Sequence, residues 1–145
     1  MKVIIRNITQ EDRETLVNMM KEFYSSPAVF TNGSREIFSS SISACINKSP
    51  YLDGYVFEFD NKIVGYGMIA KSFSTEFGKP CYWIEDLYLL SDFRGKKIGT
   101  QFFDFVFNNY TDGIFRLEVE KENEKAIALY KKCGFSYLPY LEMKK

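Results

Sequence analysis

Apolar residues in the first fifty positions recur at three- and four-residue spacing, which predicts two amphipathic helices behind a short strand. The β-branched run from Lys2 to Arg6 predicts the strand, and Thr9, followed by acidic residues, marks the start of the first helix. The second helix begins near Ser34 and ends before Pro50. The apolar stripe of the first helix consists of Leu16, Met19, Met20 and Phe23.

The period changes to two in the middle of the chain, which predicts three strands. Residues 54–59 and 62–70 flank Asp60-Asn61, a dipeptide suited to positive φ in a two-residue hairpin turn. Two glycines in the second of these strands, Gly65 and Gly67, indicate a close neighbour or a bulge. Residues 80–90 predict a long strand whose apolar run is interrupted by two adjacent acids, Glu85 and Asp86.

The last third of the chain returns to a helical period. A turn over residues 91–100 opens a helix, residues 114–119 predict a strand, and Asn123 caps a final helix that Gly134 ends. The tail over residues 135–143 predicts one or two closing strands with a break at Pro139. The resulting order is β-α-α-β-β-β-α-β-α-β-(β), an α/β (mixed α+β) fold in which helices pack on a mixed sheet.

Length and charge limit the classes of protein. At 145 residues, with 46% apolar residues and no repeat or linker, the chain predicts a single domain over residues 1–145. Nineteen basic and nineteen acidic side chains cancel, so no overall field attracts nucleic acid or anionic lipid. The N-terminus has no signal-like apolar segment and no run approaches about 18 apolar residues, so we expect a cytoplasmic, unanchored protein.

The chain contains no histidine, which excludes Ser-His-Asp and Cys-His nucleophile systems and His-ligated metals. Acid–base chemistry must therefore come from Asp, Glu, Tyr, Lys or Cys. Cys45, Cys81 and Cys133 are far apart and form no CxxC pair, so neither a zinc site nor a disulfide framework is expected. A reducing compartment and a metal-free site are the consistent interpretation.

A basic, glycine-containing turn, Arg94-Gly95-Lys96-Lys97-Ile98-Gly99, lies between the long strand and the third helix. Backbone N–H groups at a helix start have no partner and the helix dipole favours an anion there, so the turn is suited to phosphate. It contains neither a Walker sequence nor a dinucleotide fingerprint. The turn by itself is equally consistent with the solvated start of an ordinary helix.

These residues resemble the GNAT family of acetyl-coenzyme A-dependent N-acetyltransferases. The turn fits the family frame (Arg/Gln)-x-x-Gly-x-(Gly/Ala), except that Lys97 occupies the middle glycine position. Residues 123–135 resemble a second family segment, in which Asn123, Tyr130 and Gly134-Phe135 match. Within the family, residues 82–95 are most similar to the diamine (spermidine/spermine) acetyltransferase branch.

The resemblance implies a mostly antiparallel central sheet with helices on both faces, and acetyl-CoA as co-substrate without a metal. It further implies that pantetheine pairs with the free main chain of a bulged fourth strand and that the pyrophosphate lies in the basic turn. The residues that it assigns to cofactor binding are Leu87, Tyr88, Leu89, Arg94, Gly95, Lys96, Lys97, Ile98, Gly99, Thr100, Asn123, Lys125 and Ala126.

Acetyl transfer to an amine needs a neutral nitrogen, a polarised thioester carbonyl and a proton for the departing thiolate. Glu85 is the candidate base, which matches the carboxylate of the polyamine branch; Asp86 is the alternative. Alternation sends these two acids to opposite faces unless a bulge intervenes. By resemblance Tyr130 protonates the thiolate, whereas Cys133 is interpreted as a core residue, so we expect direct transfer without an acyl-enzyme.

The acceptor is the least constrained part of this interpretation. A polyamine or similar small amine is favoured, with a peptide N-terminus, a protein lysine and an aminoglycoside left open. A homodimer is suggested by the resemblance alone. The alternative function is a non-catalytic acyl-CoA sensor or interaction module, and a third interpretation is an α/β domain whose glycine turn is accidental; Glu85, Tyr130 and the paired motifs argue against both.

Overall fold

The computed structural model describes all 145 residues and contains five strands and four helices. No helix exceeds 12 residues, and none is both long and apolar enough to cross a membrane. The elements in chain order are β1 (Ile4–Asn7), α1 (Arg13–Tyr24), α2 (Arg35–Ile46), β2 (Leu52–Phe59), β3 (Lys62–Ser74), β4 (Lys79–Leu89), α3 (Ile98–Asn109), β5 (Ile114–Leu117) and α4 (Glu124–Lys132).

The strands form one mixed sheet in the order β1-β2-β3-β4-β5. The first three pairs are antiparallel, and β4 with β5 is parallel because α3 connects them as a crossover helix. Asp60 and Asn61 adopt positive φ of 52° and 60° at the tip of the β2–β3 hairpin, as the dipeptide predicts. The mixed, mostly antiparallel sheet predicted from the sequence is confirmed.

Helices cover both faces of the sheet, which is also as predicted. On one face, α1 and α2 pack on β2, β3 and β4 through buried residues such as Leu16, Phe38 and Tyr66. On the other face, α3 packs against Phe57 and the same strands, with Phe102 and Phe103 fully buried. A Cβ on Gly67 would lie 2.4 Å from the Phe102 ring, so this glycine admits the helix to close contact with the strand.

The closing strands predicted for the tail are not present, and the element order ends at α4. Residues 135–145 have no regular structure, and Tyr137, Leu138, Tyr140, Leu141 and Met143 are exposed. A strand is stabilised by the surface on which its apolar face packs. The alternating apolar residues of this segment are exposed, so they do not stabilise a strand here. Side chains still connect the tail to the fold: Lys131 lies over the Tyr137 ring and the Tyr140 hydroxyl donates to Glu76.

Candidate active site

A gap opens between β4 and β5 where their pairing stops. The parallel ladder runs only from Cys81–Ile114 to Ile84–Leu117, whereas β4 continues as a strand to Leu89. On its other side, β4 stays paired with β3 as far as Gly65–Leu89. Beyond Ile84, the main chain of β4 that faces β5 therefore has no partner strand, and it is available to a ligand that adds as a strand would.

A β-bulge lies at the mouth of this gap. Met68 pairs with Asp86 and Ile69 pairs with Ile84, so Glu85 is the extra residue of β4. The bulge breaks the alternation of the strand. Ile84 and Leu87 pack against the α3 side of the sheet, whereas Asp86 and Tyr88 lie on the α1 side.

Glu85 projects from the bulge and its residue surface is exposed. Partial desolvation raises the pKa of its carboxyl group, and the negative charges of Asp86 and Glu142 raise it further. A carboxylate with raised proton affinity, open to an incoming molecule, has the properties of a general base. The structure thus gives Glu85 an environment suited to its predicted role, and that role stays a prediction.

Asp86 has a different environment although it is the next residue. It is only 3% exposed and accepts hydrogen bonds from the hydroxyls of Tyr66, at 2.7 Å, and Tyr24, at 3.0 Å. Burial raises the pKa of its carboxyl group, and the two hydroxyls act in the opposite direction. Enclosed by α1 and the sheet, this carboxylate is poorly placed to take a proton from an incoming amine.

Two acids that the sequence analysis missed also lie at the gap. Glu118 follows the last residue of β5, and its carboxyl group meets that of Glu142 in the tail. This contact, together with partial burial and the Glu85 charge, raises the pKa of Glu118 to about 7. Glu118 lies inside the strand predicted over residues 114–119, although β5 ends at Leu117, and nothing in the sequence pairs Glu142 with it.

The basic turn has the backbone of an anion site. Gly95 has a φ of 71° with open space around its Cα, and Lys97 adopts the left-handed conformation with φ 63° and ψ 20°. The position where the family frame has a glycine therefore requires positive φ, and a lysine tolerates it here at a cost of about 1–3 kcal/mol. The helical ladder begins with the Gln101 N–H donating to the Lys97 carbonyl, so the amides of residues 98–100 precede it without a helix partner.

The basic side chains of the turn have two environments: the lysines lie in solvent, and Arg94 packs on the end of β4. Lys96 and Lys97 are exposed, whereas Ile98 and Gly99 are buried and offer a ligand only their main chain. The Arg94 Nε donates to the Leu89 carbonyl at 3.0 Å, and its guanidinium lies over the Tyr88 ring. Of the predicted cofactor residues on β4, Leu89 thus has its carbonyl already engaged.

The start of α4 contains the remaining predicted cofactor residues. The Asn123 side chain accepts from the Ala126 N–H at 3.3 Å, which confirms its role as N-cap, and Lys125 is exposed. Tyr130 is half-buried, and desolvation raises the pKa of its phenol. Its hydroxyl has no hydrogen-bond partner within the protein, so it is free to interact with a ligand.

An apolar cleft of about 840 Å³ lies between β5, α4 and the tail, and Trp83 is the one residue of β4 that lines it. Tyr130, Glu118 and Glu142 line it together with many aromatic side chains, so the cleft brings the candidate acid to the carboxylates that act on Glu85. No group of three or more His, Cys, Asp or Glu side chains is placed to hold a metal ion. The arrangement is suited to proton transfer around a ligand held between β4 and β5.

Comparison with known sequences agrees with this geometry. Residues 14–135 match the profile of the Acetyltransferase (GNAT) family. Over 75 residues, half of the chain, the sequence is 39% identical to thialysine N-epsilon-acetyltransferase of Mus musculus. That stretch covers 44% of the mouse protein, so the chain spans less than half the length of the curated relatives it matches.

Solved structures share the fold over nearly the entire chain. A possible acetyltransferase from Clostridium difficile 630 superposes with a TM-score of 0.83 and 20% identity, covering 99% of this chain and 96% of that protein. AAC(6')-Iy, in complex with the bisubstrate analogue CoA-S-monomethyl-acetylneamine, gives a TM-score of 0.80 and 13% identity, covering 100% of this chain and 98% of that protein. At such low identities these likenesses concern the fold alone.

Proposed function

The chain belongs to the GNAT family of acetyltransferases, and from this premise we propose that it transfers the acetyl group of acetyl-CoA directly to a primary amine. The observation that carries the proposal is the gap between β4 and β5, with the bulged Glu85 at its mouth and Tyr130 in the cleft beside β5. A non-catalytic acyl-CoA sensor needs the phosphate turn, but it has no use for a base of raised proton affinity at this point.

Acetyl-CoA, when bound, supplies an activated acetyl group as a thioester. The free main chain of Leu87 and Tyr88 would pair with the pantetheine arm, while the amides and side chains of residues 94–100 would hold the pyrophosphate. Asn123, Lys125 and Ala126 would flank the arm from the start of α4. Positive φ at both Gly95 and Lys97, which turns successive amides outward, supports this assignment.

We assign the base to Glu85. A primary alkylammonium ion with a pKa near 10.4 is only about one part in 10³ neutral at pH 7, so a carboxylate that takes its proton increases the reactive fraction. Because desolvation, and then the charges of Asp86 and Glu142, raise the pKa of Glu85, the acceptance of that proton is favoured. Asp86 stays the alternative base only if α1 moves away from it.

We assign the acid to Tyr130. Its unpartnered hydroxyl lines the cleft next to the gap, where it can give a proton to the departing thiolate. Burial raises the pKa of the phenol, which keeps it protonated until the thiolate forms. The family segment around it, from Asn123 to Phe135, is the second support for this role.

We propose a small cationic amine, such as a polyamine, as the acceptor. Glu118 and Glu142 add negative charge beside Glu85, which favours a positively charged molecule. The mouse relative is named for acetylation of the ε-amine of thialysine, a small amine. A peptide N-terminus, a protein lysine or an aminoglycoside would meet the same carboxylates, so the choice among them is experimental.

The test is turnover of acetyl-CoA with a panel of amines, followed by release of free thiol. We expect Glu85→Gln and Tyr130→Phe each to lower kcat by about 10²–10⁴-fold. The matched controls are Glu11→Gln, at an exposed position outside the site, and Tyr82→Phe, whose hydroxyl donates to Asp112 away from the gap. Both controls should retain wild-type turnover.

Acetyl-CoA binding without consumption of any amine would favour the sensor, and absence of binding would contradict the cofactor assignment. Four further features stay predictions: one domain over residues 1–145, a cytoplasmic location, catalysis without a metal or nucleic acid, and a homodimer. Sedimentation at several protein concentrations tests the last of these, and activity in the presence of a chelator tests the third.

A further inference from the structure

Only two charged side chains are buried in the molecule, and they are satisfied in different ways. Asp12 forms a salt bridge with Arg6 and accepts from the Thr9 N–H, so a cation and a helix start explain it. Asp86 has no salt bridge, and its hydrogen-bond partners are the hydroxyls of two tyrosines. Burying a carboxylate without a cation is costly, so Asp86 needs a reason other than stability.

The two tyrosines come from different layers of the fold. Tyr66 is fully buried in β3, and Tyr24 ends α1, where its ring packs against Phe38 of α2. The two hydroxyls bind separate oxygens of the carboxylate, Oδ2 for Tyr66 and Oδ1 for Tyr24. Both acceptor oxygens are therefore fixed, and the orientation of the Asp86 side chain is set by the sheet on one side and α1 on the other.

We infer that Asp86, held by Tyr24 and Tyr66, is a positioning residue that locks the β4 bulge and so directs the neighbouring Glu85 carboxylate into the gap between β4 and β5. The inference rests on the proposed function, because it assigns Asp86 a purpose through Glu85. Asp86 itself does not touch the acceptor.

The bulge geometry connects the two acids. One residue of β3, Met68, pairs with Asp86, and the next pairs with Ile84, so the chain between them must leave the ladder. A side chain held on the α1 face at position 86 and another packed on the α3 face at position 84 leave Glu85 to project at the edge. Without the tyrosine clamp, the extra residue could move along the strand, because bulge position depends on which side chains are fixed.

The charge of Asp86 also acts on the Glu85 carboxyl group. The titratable groups that face the two acids are Tyr24 from α1, Cys45 from α2, Tyr66 from β3, Glu118 after β5 and Glu142 in the tail. Burial raises the pKa of Cys45 to about 12, and burial beside Asp86 raises the pKa of both phenols, so these three groups are neutral near pH 7. The Asp86 charge then reaches Glu85 without a neighbouring cation to cancel it.

The first measurement is the pH profile of kcat in Asp86→Asn, which keeps the size of the side chain and one acceptor oxygen but removes its charge. We expect a 10- to 100-fold loss of kcat at pH 7, an acid limb displaced to lower pH and an unchanged KM for acetyl-CoA. A loss of kcat with an unmoved acid limb and equally weakened acetyl-CoA binding would overturn the inference, since that is the signature of general damage.

Tyr66→Phe and Tyr24→Phe test the clamp without removing the charge. Each should lower kcat by about 3- to 10-fold with the acetyl-CoA KM retained, and the double variant should lower it further. Tyr82→Phe is the matched control, because it deletes another tyrosine-to-aspartate hydrogen bond at the opposite end of β4. Equal behaviour of all three single variants would overturn the clamp.

A measurement independent of turnover separates this inference from the proposed function. Carboxyl carbon-13 NMR of the protein labelled at Glu and Asp side chains follows the titration of Glu85, identified by its absence in Glu85→Gln. The titration should move to lower pH in Asp86→Asn. If no amine is consumed but this displacement occurs, only the proposed function fails; if amines are consumed and Glu85 titrates unchanged, only this inference fails.

Discussion

The chain up to Val106 packs around two apolar clusters, whereas the chain beyond it contains no buried residue. All 28 buried residues lie in residues 1–106, on both faces of the sheet. In residues 107–145, β5, α4 and the tail contact the second cluster only with half-buried side chains such as Phe107, Phe115 and Phe135. One sheet therefore joins a densely packed body to a loosely packed C-terminal region.

This difference follows from where the gap lies. The proposed ligand site is between β4, which belongs to the packed body, and the C-terminal region on its other side. A cleft of about 840 Å³ lies within the C-terminal region, between β5, α4 and the tail. Binding regions often have low local stability because they must admit and release a ligand, and the body supplies the rigidity that the other side lacks.

Phenylalanine-to-alanine substitutions in the packed body and in the C-terminal region should differ most in the free energy of unfolding that they cost. Phe102→Ala removes a fully buried ring that fills the space over Gly67, and we expect a loss of about 3–5 kcal/mol in the free energy of unfolding. Phe135→Ala removes a half-buried ring and should lose about 1 kcal/mol. Urea denaturation of both variants measures the difference, and similar losses would mean that the two regions are equally packed.

Acetyl-CoA should reduce the difference in local stability between the two regions by filling the gap between β4 and β5. A ligand at a concentration of about 100 times its dissociation constant stabilises the folded state by about 2.7 kcal/mol. Any local opening that requires the ligand to dissociate then becomes about 100-fold less frequent. Within minutes to hours of hydrogen exchange, we expect slower exchange over residues 114–135 and little visible change in β2 and β3, which are already protected. Adenosine, which lacks the pyrophosphate and the pantetheine arm, is the control ligand and should leave the exchange of these residues unchanged. Slowing confined to β2 and β3 would contradict a site on the C-terminal side of β4.

The smallest expected effect is a pH dependence of the tail. Glu118 ionises near pH 4.5 when unconstrained and near pH 7 in the fold, so the folded state holds this proton more tightly. The stabilising effect of the Glu118–Glu142 contact is therefore complete below about pH 4.5 and is lost as pH rises through about 7. Limited proteolysis after residue 135 should be faster at pH 8 than at pH 5.5, and Glu142→Gln should remove the difference. Persistence of the difference in that variant would mean that another group controls the tail.

Much of the fold follows from local signals in the sequence. The Asp60-Asn61 turn, the Ser34 and Asn123 caps and the helical stripes are each determined by residues close to one another in the chain. Of the two alternatives that Gly67 indicates, a close neighbour or a bulge, the structure shows a close neighbour, the Phe102 ring. Where local preference and tertiary packing agree, prediction from the sequence succeeded.

The predictions fail, or are incomplete, at positions whose structure depends on contacts with residues distant in the chain. The tail has the alternation of a strand but no surface on which to pack, so its predicted closing strands do not form. The alternation between Glu85 and Asp86 could not reveal which face each acid takes, because the bulge that decides it depends on β3. The meeting of Glu118 with Glu142, and the clamp of Tyr24 and Tyr66 on Asp86, are tertiary contacts without a local pattern.

The extra residue in β4 also affects how this chain should be aligned with distant relatives. A strand without the bulge would place positions 84, 86 and 88 on one face, whereas here Ile84 shares its face with Leu87. An ungapped alignment to a relative with a regular strand would therefore equate positions on the α1 side with positions on the α3 side from residue 86 to the end of β4. Deletion of residue 85 would, by contrast, remove the bulge and leave Leu87 and Tyr88 on the faces that they now occupy, because Ile84, Asp86 and Leu87 would then alternate as in a regular strand.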